Sequence, residues 1–180
     1  LERHDAVTAG QPRTGEYIDS MYGGSTRLYL EQYARTTFRS FWGQFGWMAV
    51  PMPAWTYTVF LLFTLAVLIG AGVFARHVRW PDTLSGPQRD GLILLAATFV
   101  LVVAAFALYN LDFVQFQGRY LYYALLPIAL VVGMGLCGWA APLAGRVPAL
   151  AWAPLLVIAG LALFALYALE RIVVPNLPAW

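Results

Sequence analysis

Ala54-Trp-Thr-Tyr-Thr-Val-Phe-Leu-Leu-Phe-Thr-Leu-Ala-Val-Leu-Ile-Gly-Ala-Gly-Val-Phe-Ala75 decides the fold. The run contains no charged residue and lies inside a longer interval, from Arg39 to Arg76, that is equally free of charge. Three more such intervals follow, at Gly91–Leu111, Tyr120–Gly145 and Val147–Leu169. A helix rises 1.5 Å per residue, so roughly 20 apolar residues cross the ~30 Å hydrocarbon core of a bilayer. Each interval is long enough. The sequence therefore predicts an all-α integral membrane protein with about four transmembrane helices: Ala54–Ala75, Gly91–Tyr109, Tyr120–Ala140 and Leu150–Leu169. Pro127 is expected to kink the third.

The rest of the composition agrees. The 180 residues are 61% hydrophobic and 11% charged, against about 45–50% and 25% in soluble chains. This excludes a water-soluble enzyme, a DNA-binding module and a disulfide-stapled secreted domain. The net charge of +2 comes from 11 Arg, with no Lys, against nine carboxylates. That is nearly neutral and carries no basic stripe, so no nucleic-acid partner is expected. The single cysteine, Cys137, excludes an internal disulfide. The chain opens on Leu1 and a polar stretch without the basic and apolar regions of a secretory signal. The expectation is the C-terminal part of a longer or processed polypeptide.

Residues 1–24 hold scattered charge and four glycines and read as an extramembrane segment. Residues 25–53 form the next region. Ser25 is placed to cap a helix over about 26–42, in which Leu30, Tyr33, Ala34, Thr37, Phe38 and Phe41 share a moderately apolar face. Arg27, Glu31 and Arg35 form an i, i+4 ladder on another face. Such a helix suits the membrane surface. The aromatic stretch Phe41-Trp42-Gly43-Gln44-Phe45-Gly46-Trp47-Met48 follows, closed by Pro51 and Pro53. It reads either as an interfacial belt or as the lip of a lipid or substrate cavity. The transmembrane region then covers 54–170, and 171–180 is a tail.

Arginine placement gives the orientation. Arg76, Arg79, Arg89 and Arg146 fall on one side, and Arg35, Arg39, Arg119 and Arg171 on the other, which is a tie. The connection 76–90 is the denser cluster between two spans and is assigned to the cytoplasm. Small residues (Gly70 and Gly72; Gly133, Gly135 and Gly138; Ala159, Ala162 and Ala165) mark the faces where helices approach closely.

Chemistry is sparse. His4 and His77 both lie outside the spans, so no haem-ligating pair and no cofactor are expected, and no metal-ligand spacing exists. With no Lys there is no phosphate-binding loop. The spans hold no ionisable residue of the kind that marks ion pathways. One stretch stands apart: Asn110-Leu-Asp112-Phe-Val-Gln115-Phe-Gln117-Gly118-Arg119-Tyr120, followed by Leu121, Tyr122 and Tyr123. An Arg at the membrane surface forks naturally onto a phosphate. Arg119, aided by Gln117 and the tyrosines, is thus a candidate contact for a lipid-linked phosphate. The competing reading pairs Asp112 with Arg119 and leaves the tyrosines as interface anchors.

Ser40-Phe41-Trp42-Gly43-Gln44-Phe45-Gly46-Trp47, a Pro-flanked span, and then Gln117-Gly118-Arg119-Tyr120 resemble the C-terminal region of large bacterial polytopic membrane proteins. These look like the glycosyltransferases that use polyprenyl-phosphate sugars, the group that includes protein mannosyltransferases. The resemblance covers about residues 25–170. It implies a multi-pass protein of the bacterial cytoplasmic membrane that takes a sugar from a lipid-phosphate donor. It carries Gln117, Arg119 and Tyr120 over by motif, and Trp42 joins them as a candidate for the cavity lip. The family's catalytic carboxylate lies in an early external loop that has no counterpart here, so no catalytic residue is assigned and this chain alone is expected not to be catalytic. Its partners would be membrane lipids, a lipid-linked phosphate sugar, and upstream spans or other membrane subunits. The alternative is a non-catalytic accessory or scaffold subunit of a larger membrane complex, such as an energy-transducing one.

Overall fold

The computed structural model describes residues 12–45, 48–77 and 84–176. Gly46 and Trp47 of the aromatic stretch, Arg79 of the cytoplasmic assignment, His4 with the rest of residues 1–11, and the last four residues of the expected tail lie outside the described residues. The described chain is helical almost throughout. Four helical stretches are long and apolar enough to cross a membrane: Ala54–His77, Gly86–Asp112, Gly118–Ala144 and Pro148–Asn176. The protein is an all-α, multi-pass membrane protein.

Helix α1 (Thr14–Tyr22) lies within the polar stretch read as an extramembrane segment. It ends at Gly23, which adopts the left-handed conformation (φ 56°) and returns its N–H to the Ile18 carbonyl, a cap that suits a residue without Cβ. Helix α2 (Thr26–Gly43) follows. Ser25 caps it as expected, its Oγ accepting from the Leu28 N–H at 3.4 Å. Of the charged ladder, Arg27 and Glu31 pair at 3.0 Å. The pair is well exposed and contributes at most a few tenths of a kcal/mol, about 0.3–0.5. A two-residue hairpin, β1 (Gln44–Phe45) and β2 (Val50–Pro51), pairs antiparallel with Gln44 opposite Pro51.

Each span is longer than the stretch expected for it. Helix α3 is Ala54–His77 and α4 is Gly86–Asp112. The earlier start of α4 has a local cause. Gln88 Oε1 reaches back to accept from the Ser85 N–H (2.9 Å) and hydroxyl (3.1 Å), one half of a capping box. A cap therefore sets the boundary, and Arg89 and Asp90 are simply carried in the first turns.

The third span opens as a 3-10 segment, Gly118–Ala124, and continues as α5, Leu125–Ala144. Pro127 falls in the first turn of α5, where a missing N–H leaves no intrahelical bond unmade. The expected kink is therefore replaced by a change of helix type just before it, and Pro142 is the proline inside the helix. The fourth span comprises a 3-10 turn (Pro148–Trp152), α6 (Ala153–Ala168), a π segment (Leu169–Val173) and a last turn, α7 (Val174–Asn176). Glu170 and Arg171, expected near the start of the tail, are helical.

The described chain divides into two compact units. The first comprises the described residues up to Trp42 together with Val100–Tyr123, and the second comprises those of Gly43–Phe99 and from Ala124 onward.

The second unit is held by backbone proximity between α3 and α5. A Cβ placed on Gly70 would meet the Gly135 carbonyl, one on Gly135 the Val67 carbonyl, and one on Gly138 the Gly70 carbonyl. The small residues expected to allow close approach do so at these three positions. Trp139 Nε1 donates to the Ala66 carbonyl at 2.8 Å, and Phe60 meets Phe164 edge-on at 5.5 Å. Tyr57 OH accepts from the Met52 N–H and donates to the Gly43 carbonyl, both at 2.9 Å.

The first unit is held by side chains. Phe116 sits among Tyr17, Tyr29 and Tyr33 at ring separations of 6.1, 5.5 and 5.9 Å. Phe106 stacks on Tyr33 at 5.7 Å.

Candidate functional site

The polar stretch 110–120 is where α4 stops, and Asn110 stops it. The side chain is buried at 6% exposure. Its Nδ2 donates to the Phe106 carbonyl at 2.8 Å, and its Oδ1 accepts from the Gln115 N–H at 2.9 Å. Its own carbonyl accepts from Thr14 Oγ1 (2.9 Å) and the Tyr29 hydroxyl (3.3 Å). The amide thus holds the Gln115 N–H just past the helix end, and Thr14 and Tyr29 satisfy the Asn110 carbonyl, one of the last-turn carbonyls that a helix leaves open. Next to it, Arg13 and Phe113 form an antiparallel bridge, the Val114 N–H donates to Pro12 O at 3.2 Å, and the Arg13 guanidinium lies 5.6 Å from the Phe113 ring centre.

The far end of the stretch is tied to α2. Ser40 Oγ accepts from the Gly118 N–H at 2.7 Å and donates to the Thr36 carbonyl at 2.6 Å. Gly118 lies so close to Thr37 O and Phe41 that a Cβ there has no room. Tyr122 OH donates to the Phe41 carbonyl at 2.7 Å, and its ring meets Phe41 at 5.5 Å.

Between these two anchors lies a groove of about 420 Å³, lined by Val102, Ala105, Phe106, Tyr109, Gln115, Tyr120 and Tyr123. Its floor is the last three turns of α4, and its rim is the loop and the 3-10 segment. The Arg119 guanidinium lies 5.6 Å from the Tyr120 ring centre, in cation–π range. Gln115 Nε2 donates to the Tyr120 hydroxyl oxygen at 3.3 Å. The groove is therefore apolar below, with hydroxyl, amide and guanidinium groups collected at one edge. Deeper in the unit, burial raises the pKa of Tyr29 and Tyr33 above the ordinary 10.0, so both are neutral hydrogen-bonding groups at physiological pH.

Of the four residues expected at a lipid-phosphate site, Tyr120 lines the groove and Arg119 stands over its ring. Gln117 and Trp42 do not line it. Gln117 keeps Oε1 buried without a hydrogen-bond partner among the described residues, and Trp42 lies at the end of α2, edge-on to Phe41 at 5.5 Å. Asp112 is exposed. Sequence reasoning missed Asn110, Gln115 and Ser40 as the groups that shape the site. For Asn110 a signal existed: an amide at the last turn of an apolar run, one helical turn after an aromatic. Among the described residues no cluster of three or more His, Cys, Asp or Glu side chains could hold a metal ion.

The fold and this groove define an all-helical multi-pass membrane protein with an amphiphilic cleft at the end of its second span. Comparison with family models, curated proteins and solved structures returned no match.

Proposed function

We propose that this chain is the membrane portion of a glycosyltransferase-like protein of the bacterial cytoplasmic membrane. In this reading it contributes to the site for a lipid-linked phosphate sugar, and the catalytic carboxylate comes from spans or subunits beyond it. The observation that carries the reading is Arg119 over Tyr120, a cation on a ring that forms the edge of an apolar groove at the end of a span. A lipid phosphate needs both parts: hydrocarbon contact for the chain, and a forked donor at headgroup height. Native mass spectrometry in mild detergent tests it. A polyprenyl-phosphate species bound to the native protein and lost in Arg119→Ala is the expected result; binding that is absent, or unchanged in the variant, overturns the reading.

A second reading, an accessory subunit of a larger membrane complex, is favoured by the fourth span. None of the most apolar window of Pro148–Asn176 is buried within the chain, and Gly160 has open space where a side chain would be. A fixed-ratio partner in native purification, with no phosphate lipid, would decide for it.

A further inference from the structure

Gln115 lies at the groove rim and touches Tyr120, and the chemistry of that contact has a direction. The Gln115 amide nitrogen carries hydrogens and no free lone pair, so it gives a hydrogen bond to the Tyr120 oxygen at 3.3 Å. The phenol oxygen is then an acceptor within the protein, and its own hydrogen is left for whatever enters the groove. The Arg119 guanidinium over the same ring has donors only. The Gln115 backbone is itself fixed, because its N–H is bound to buried Asn110 Oδ1 at 2.9 Å. The edge of the apolar groove therefore offers N–H and O–H donors from a held geometry, with a positive charge beside them.

We propose that Gln115 sets the headgroup specificity of this groove: by occupying the Tyr120 oxygen it commits the Tyr120 hydroxyl hydrogen to the ligand, and so selects a phosphate-headed lipid. The inference rests on the reading of the groove as a lipid-phosphate site and adds the residue that makes it selective. The occupant follows from complementarity. A lipid phosphate that carries no cation of its own, whether a monoester or a sugar diester, is an acceptor with negative charge and matches both groups at the edge, and its hydrocarbon chain matches Val102, Ala105 and Phe106 below. A zwitterionic headgroup brings its own cation to Arg119 and gains less. Gln115 touches the headgroup only through Tyr120 and is a positioning residue.

The test uses the full chain in nanodiscs of phosphatidylcholine that contain a trace of photoactivatable lipid. Two probes carry the same diazirine-bearing tail, one as phosphatidic acid and one as phosphatidylcholine. Cross-linked peptides are mapped and their yields compared. Wild type is expected to label within 102–109, with phosphatidic acid ahead by about tenfold, the worth of one hydrogen bond to a charged group. Gln115→Glu keeps the shape but replaces the donor by an acceptor, which takes the Tyr120 hydrogen and repels an anion. The preference should fall to parity while labelling of 102–109 by phosphatidylcholine persists, a split that a merely structural role would not produce. Tyr120→Phe removes the donor and should act alike, and Gln115→Ala, which leaves the Tyr120 oxygen without its amide, stands in for Gln115→Glu if that variant does not fold, with the same fall in preference expected. A phosphatidic acid preference that survives both variants but is lost in Arg119→Ala overturns the role of Gln115 and leaves the proposed function standing. A preference that survives all three, or labelling outside the groove, overturns both.

Discussion

The two units solve the same problem, holding helices together, by opposite means. Between α3 and α5 the second unit removes side chains: Gly70, Gly135 and Gly138 bring backbone against backbone, and one indole N–H adds a directional bond. Around Asn110 the first unit does the reverse, filling the space with tyrosines and routing each polar atom through an amide or a hydroxyl. Backbone contact is compact and chemically silent. A side-chain network leaves a cleft and puts hydrogen-bond donors at its edge, and the candidate site lies there.

Three measurements would break or sharpen that contrast. The largest effect is expected from Gly138→Leu. With the Gly70 carbonyl in the way, the added side chain must push α3 and α5 apart, a cost of about 3 kcal/mol or more. Thermal unfolding in detergent should show a large loss; a neutral result would mean that this crossing does not hold the second unit. Asn110→Leu should cost less, about 1 kcal/mol, by leaving the half-buried Gln115 N–H without its acceptor. Its signature is local: hydrogen exchange should rise in 110–118 and stay unchanged across α5. The smallest effect is expected from pH. Burial raises the pKa of Tyr29 and Tyr33, so the folded state favours their neutral forms. That stabilisation is complete below the ordinary pKa of 10.0 and is lost as pH rises through the higher folded value. Ultraviolet titration should find late-ionising tyrosines, with the exchange protection of α1 and α2, measured against the intrinsic base-catalysed rate, falling above pH 10.0 and not below it. Early titration of every tyrosine would show the ring cluster to be open to water.

Much of this was legible in the residues. Intervals without charge located four spans, because lipid tolerates little else, and Gly70, Gly135 and Gly138 named the faces that meet, whereas Gly72 and Gly133 face open space. Helix ends were read less well. Ser85 and Gln88 begin α4 before the apolar run does, and a proline expected to bend a helix sits instead in its first turn. Charge-free length reports what lipid permits, whereas ends are set by single hydrogen bonds. Arg119 and Tyr120 could be singled out as an arginine and a ring at a span boundary. Ser40 could not, and Asn110 could be read only as an amide ending an apolar run, because their distant bonds join residues 78 and 96 positions away in the chain, Gly118 and Thr14 respectively.

Those separations have a consequence for biogenesis. Thr14 must wait for Asn110, and Ser40 for Gly118, yet α3 and most or all of α4 are synthesised in between. At about 5–20 residues per second the ribosome needs roughly 5–20 s to add the 96 positions that separate the first pair. Throughout that interval α1 and α2, with Met21, Leu28 and Leu30 exposed even in the finished fold, lack the Asn110 carbonyl and the Phe116 ring that Tyr29 meets there. Helices α1 and α2 precede the spans that complete them and are locked only after those spans are made, and a clipped or delayed second span would leave them without their ties to Asn110 and Gly118.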